Sequence, residues 1–224
     1  NRTVAYFRRT LNLAMTWGWI DRNPTRGLEF NRETKREHYL SPDEIGRVLQ
    51  ALDVHRHQNS CDAIKLMIFT GCRRGEALTA RWDLFDPDFR IWTKPAATTK
   101  QRRLHRTPIC SAASSILQKR FDDANSEYVF PSVGGKALKE VRKKWNAGQE
   151  SAAIPKTRLH DLRHTFASIA VSQGESLPTI GAMLGHTQTS TTARYAHLFD
   201  ETLREAVKNV EAGLFSLSGE RDFK

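Results

Sequence analysis

Long apolar runs are missing from this chain of 224 residues. The most apolar stretch, Ala63 to Thr70, is short and broken by Lys65, well below the roughly 20 residues that a membrane-spanning helix needs. No span is expected. Cysteine is scarce too. Cys61, Cys72 and Cys110 are odd in number and lack metal-ligand spacing. That argues against a disulfide scaffold or a zinc site and for small buried side chains in a reducing compartment. The opening residues carry no charged-then-apolar leader, so a cytoplasmic location is expected. The start at Asn1 rather than Met reads as the start of a piece of a longer protein. No carboxylate cluster accompanies the histidines, which disfavours a metal-dependent nuclease. Acidic residues are in deficit, 25 Asp and Glu against 35 Lys and Arg, for a formal net charge of +10. This excess suits a polyanionic partner, although charge alone does not separate a nucleic-acid binder from an ordinary basic protein.

The patterning is mostly helical. Asn1 to Trp19 places Val4, Phe7, Leu11, Ala14 and Met15 on one face, and Gly18 and Asn23-Pro24 end the helix. Its apolar stripe has no partner within its own segment, so residues 1–30 read as the end of a separate upstream domain. Residues 31–40 are polar, without periodicity, and read as a linker. Ser41-Pro42-Asp43-Glu44 forms a capping box that opens a second domain over 41–224. Ile64 to Phe69 is apolar nearly all round and is expected to be a central helix closed by Gly71. Phe89 to Thr93 and Leu104 to Ile109 alternate, with a basic turn between them, and predict a small antiparallel sheet. Further helices are expected over Ser111–Asp122, Lys136–Trp145, Leu159–Ser172, Leu177–Leu184, Thr189–Tyr195 and Glu201–Leu214. The fold class is α+β, mainly α-helical, with a small antiparallel β-sheet edge.

Chemistry concentrates in four places. Thr70-Gly71-Cys72-Arg73-Arg74-Gly75-Glu76 follows the buried helix and places Arg73 at a helix start, where free N–H groups also favour an anion. Glu76 sits where it can orient Arg73 or cap that helix. His160-Asp161-Leu162-Arg163 puts His160 and Arg163 three apart on one helical face, where both can donate to one anion. A planar guanidinium matches phosphate oxygens. The same helix carries Leu162, Phe166, Ile169 and Ala170, so it is largely core, and its charged residues need partners. Leu184-Gly185-His186 and Thr191-Thr192-Ala193-Arg194-Tyr195-Ala196-His197 follow. Two arginines, two histidines and a later tyrosine form a set able to bind a phosphate and attack it.

These boxes, in this order, resemble the tyrosine recombinases of the phage-integrase type. The likeness covers Leu40 to Leu214, and the second box continues into His164-Thr165-Phe166-Ala167-Ser168. The resemblance implies that Tyr195 attacks a scissile phosphate of double-stranded DNA, forms a 3′-phosphotyrosyl link and frees a 5′-hydroxyl, which in a partner strand later reseals the DNA. Arg73 and Arg163 would neutralise the charge gathering on the phosphate, while His160 and His186 donate or move protons. The bond energy is conserved in the covalent link, so neither cofactor nor metal is implied. The family also uses a lysine from the sheet turn as general acid. Lys100 fits its pattern best, with Lys94 as the alternative. Arg102, Arg103, Lys139, Arg142, Lys143 and Lys144 are candidate phosphate contacts, which position DNA without reading sequence. The tail residues Leu203, Val207, Val210 and Leu214 would dock on the chain's own domain or on a neighbouring subunit. The expected assembly is a monomer when free and a tetramer on DNA. Two readings compete: a type IB topoisomerase-like enzyme, and a catalytically silent DNA-binding protein of the same fold.

Overall fold

In the computed structural model the described residues are 1–31, 39–96, 103–186, 189–198, 207, 208, 210 and 211. They fall in two compact units, Asn1–Glu37 and His38–Lys224. In the first unit, helix α1 (Arg2–Thr16) contains no buried residue. Tyr6, Phe7, Leu13, Trp17 and Trp19 are exposed. The following turn is fastened to α1 by Asn23, whose amide donates to Asn12 Oδ1 (2.6 Å) and to the carbonyl of Arg8 (3.1 Å). Arg8 in turn donates to the carbonyls of Thr25 (3.0 Å) and Leu28 (2.7 Å).

The second unit opens with α2 (Pro42–Asp53). Ser41 Oγ accepts from Glu44 N–H, and the Glu44 carboxylate accepts from Ser41 N–H at 2.8 Å, so the capping box forms as the sequence expects. Next comes α3 (Gln58–Thr70), which packs against α2, α5 (Ser111–Asp122), α6 (Arg142–Ser151) and α7 (Asp161–Ser172). Its Cys61, Ala63, Ile64, Leu66 and Met67 are fully or almost fully buried. Lys65 is buried as well, and its ammonium is matched by Asp53 (2.5 Å) and Asp62 (2.8 Å), as a charge removed from water requires. Of the cysteines, Cys61 and Cys72 are buried, whereas Cys110 is exposed, contrary to the expectation for all three.

The short helix α4 (Arg74–Leu78) is followed by a two-stranded antiparallel sheet, β1 (Ile91–Lys94) and β2 (His105–Pro108). Its register pairs Trp92 with Thr107 and Lys94 with His105. The strand begins later than its alternation suggested. Phe89 has φ +52° and closes a turn in which Asp86 Oδ1 accepts from the N–H groups of Arg90 and Ile91. Its ring is nonetheless buried, and that burial produced the alternating pattern. The helix expected over Lys136–Trp145 lies further on, at Arg142–Ser151. Glu140 sets the boundary: its carboxylate accepts from the N–H groups of Val141 and Arg142, at the end where backbone donors are unmatched. The remaining elements are α7, α8 (Leu177–Leu184), the short α9 (Thr189–Thr192) and a 3-10 helix over Ala193–Leu198. In the tail, Val207 and Val210 are exposed, while Leu203 and Leu214 lie outside the described residues. No helix among the described residues is long and apolar enough to cross a membrane.

Gly71 ends α3 with φ +60°. A Cβ there would lie 2.8 Å from Leu184 Cδ2 and from the Phe166 ring. Left-handed backbone costs about 1–2 kcal/mol and overpacking about 1–3 kcal/mol. Gly71→Ala is therefore expected to lower unfolding free energy by about 2–5 kcal/mol, read as a shifted urea midpoint at constant slope. An unchanged midpoint would contradict this packing.

Candidate active site

Helix α7 supplies the centre of the site. Its spacing places His160, at the N-cap, on the same face as Arg163 and His164. Asp161 fixes the helix start, accepting from Arg158 N–H at 2.9 Å and pairing with the Arg158 guanidinium. Arg163 is 4% exposed. Its guanidinium donates to the carbonyl of Gly71 (2.8 Å) and to that of Leu184 (2.5 Å). Both carbonyls lie at helix C-termini that end in a left-handed glycine, where carbonyls lack helical partners and carry partial negative charge. Two helix ends thus take the place of a carboxylate partner. Burial, then the positive charge of Arg73, pushes the Arg163 pKa down to about 10, so it stays cationic at neutral pH.

Arg73 is the N-cap of α4. Glu76, one turn on, accepts from Arg73 N–H (3.1 Å) and from the Arg73 guanidinium (2.8 Å). Its other contact is the Lys94 ammonium at 2.9 Å. Lys94 is 3% exposed and stands 4.2 Å from the centroid of the Trp92 ring. Burial alone would raise the Glu76 pKa. The Lys94 charge and the hydrogen bonds from Arg73 and Lys94 overcome it and hold the carboxyl at about 2, below its ordinary 4.5. A depressed carboxylate stabilises the fold above its unfolded pKa, and this contribution disappears as pH falls from about 4.5 towards 2.

The third arm is the turn after α8. Gly185 has φ +65°, and a Cβ there would lie 2.8 Å from the His105 ring. His105, on β2, bonds the Ala182 carbonyl through Nε2 at 2.8 Å, so the sheet props this turn. Burial, followed by repulsion from Lys94, lowers the His105 pKa, although its bond to Ala182 opposes this. His186 Nδ1 lies 2.9 Å from Thr192 Oγ1.

Tyr195 is 1% exposed and packs among Ala167, Ala170, Val171, Ile180 and Leu184. Its hydroxyl lies 2.6 Å from His164 Nδ1. The rings of His160 and His164 meet edge-on at 5.0 Å.

Arg73, Glu76 and Arg163 are therefore joined into one region with Lys94, and His186 and Tyr195 border it through α8 and α7. Lys100 and Arg102 lie outside the described residues. Arg103, Lys139, Arg142 and Lys143 are exposed and Lys144 is half-buried; Arg142 lies 3.7 Å from Glu140. Sequence reasoning overlooked His164, His105 and Thr192, and it did not foresee the pairing of Lys94 with Glu76. His164 had a signal, since it follows His160 by one helical turn. Lys94 had one too: it shares a strand face with Trp92. No group of three or more His, Cys, Asp or Glu able to hold a metal occurs among the described residues.

The sequence model of the phage integrase family matches residues 38–202. The integrase of Escherichia phage 186 is 29% identical over 213 residues, covering 93% of this chain and 59% of that protein. The chain thus spans well under two thirds of that relative. The catalytic domain of bacteriophage HP1 integrase superposes with a TM-score of 0.57 at 26% identity, covering 82% of this chain and 98% of that one. A lambda integrase dimer bound to a COC′ core site gives a TM-score of 0.69 at 17% identity, over 86% of this chain and 57% of that one, a likeness of fold alone. With more than half its length matched by that model and the motif residues converging on one region, the chain belongs to the phage integrase family.

Proposed function

We propose that this chain is the catalytic part of a site-specific DNA recombinase that cleaves and rejoins double-stranded DNA through a 3′-phosphotyrosyl intermediate at Tyr195. The observation that carries this reading is the Arg163 guanidinium held between the Gly71 and Leu184 carbonyls. That contact draws the segments bearing Arg73 and His186 onto the helix that touches Tyr195. Fixed cations aimed at a phosphate stabilise the charge that grows during displacement without reorganising at the moment of reaction. Arg73 and Arg163 bind the non-bridging oxygens, and His160 and His186 donate to them. No cofactor is required by this chemistry.

Lys100, which lies outside the described residues, is read as the general acid for the leaving 5′-oxygen, with Lys94, tied to Arg73 through Glu76, as the alternative. Residues 1–30 are read as the end of an upstream core DNA-binding helical domain, 31–40 as a linker and 41–224 as the catalytic domain. Arg102, Arg103, Lys139, Arg142, Lys143 and Lys144 are read as DNA-phosphate contacts. The DNA-bound dimer of lambda integrase supports DNA as the partner and assembly on it; the working form is taken as a tetramer on DNA and a monomer when free, in the cytoplasm.

A nicked duplex carrying the crossover site, mapped from the junctions of the integrated element, is expected to trap a covalent protein–DNA adduct. Tyr195→Phe should form none, and an adduct in that variant would exclude this nucleophile. Lys100→Ala is expected to slow cleavage by about 10²–10⁴-fold, with the loss largely erased when sulfur replaces the bridging 5′-oxygen, because a thiolate leaves without a proton. Lys94→Ala should show no defect that this sulfur substitution relieves. The opposite pattern would move the general acid to Lys94.

A further inference from the structure

We propose that Thr192 is a positioning residue that keeps the neutral His186 ring in the form with its hydrogen on Nε2, ready to donate to the phosphate, an inference that rests on the recombinase function above. Thr192 is 2% exposed. A hydroxyl taken out of water has to place its hydrogen on an acceptor. Among the described residues the Thr192 hydroxyl is paired with His186 Nδ1, at 2.9 Å. A neutral imidazole has one acceptor nitrogen and one donor nitrogen. Once Nδ1 accepts from Thr192, the ring's hydrogen belongs on Nε2. Without such a partner the two tautomers compete, and the one with hydrogen on Nδ1 has no donor to offer from Nε2.

The surroundings are built for this contact. A Cβ at Gly181, on α8, would lie 3.1 Å from Thr192 Oγ1, tighter than ordinary van der Waals contact, so the glycine gives the hydroxyl its room. The carbonyl of the same Gly181 accepts from His186 N–H at 2.8 Å. One residue thus fixes the histidine backbone and admits the side chain that orients its ring. Thr192 closes α9, and Tyr195 follows it by three residues in the adjoining 3-10 helix. Tyr195 packs among Ile180 and Leu184 of α8. The nucleophile and the group that orients the phosphate donor therefore ride on one short run and dock on one helix. No bond to Thr192 is made or broken in the reaction; its hydroxyl decides only which nitrogen of His186 carries the hydrogen.

The 15N spectrum of histidine-labelled protein, with the His186 signals identified by their loss in His186→Gln, tests the assignment without DNA. In the neutral ring the wild type should show Nε2 protonated and Nδ1 bare; hydrogen on Nδ1 overturns the proposal. Single-turnover cleavage of the same nicked duplex supplies the second readout. Thr192→Val keeps the shape but has no hydrogen to give. It should cleave about 10–10²-fold more slowly at saturating protein, the scale known for hydrogen-bond partners that orient metal-bound histidines and short of the roughly 10²–10³ lost when a donor is removed outright. DNA affinity and thermal melting should be unchanged, and its His186 should show a mixture of tautomers. Thr192→Ser restores the hydroxyl and should cleave near the wild-type rate with Nε2 protonated. Cleavage by Thr192→Val at the wild-type rate, or by Thr192→Ser as slowly as by Thr192→Val, overturns the proposal while the recombinase function stands. A wild-type protein that forms no adduct through Tyr195 overturns that function, and the role of Thr192 with it, whatever the spectrum shows.

Discussion

A buried guanidinium needs acceptors, and Arg163 finds them in the carbonyls of Gly71 and Leu184. Much of the site depends on this contact. The two carbonyls end helices from distant parts of the sequence, and each is followed or formed by a glycine in the left-handed region. A helix that ends this way turns its last carbonyls outward. The arginine therefore reads the termination geometry of α3 and α8, not merely a negative charge. Removing it would leave two carbonyls directed at a void and loosen the turns that carry Arg73 and His186.

A second constraint is charge density. Arg73, Lys94 and Arg163 crowd one region, with Arg73 raising the cost of charge on Arg163. Glu76 offsets this by serving Arg73 and Lys94 together. One carboxylate for three cations leaves the region electropositive, as a phosphate site must be, yet gives each lysine or arginine a defined orientation. Preorganisation here comes from a shortage of anions distributed with care: two helix ends for Arg163 and one shared carboxylate for the other two.

Much of this was legible in the sequence because it depends on local rules. The Ser41 capping box, the apolar girth of α3 and the glycine closing it are all short-range features, and they appear where expected. The motif boxes supplied Arg73, Arg163, His186 and Tyr195. Long-range features were hidden. Glu140 shifts the start of α6 by a side-chain bond that competes with the apolar pattern before it. Phe89 mimics a strand residue because its ring is buried, although its backbone turns. The pairing of Lys94 with Glu76 was hidden because it spans 18 residues. His164 was passed over because its partner lies 31 residues away.

The sheet has a mechanical consequence. Lys94 and His105 are opposed across its two strands, Lys94 is bound to Glu76, and His105 grips the last turn of α8 beneath Gly185. The hairpin, the first arginine box and the glycine turn before His186 therefore behave as one lever. Displacing either strand would strain both contacts at once, so the Lys94 ammonium and the turn before His186 are coupled through the sheet.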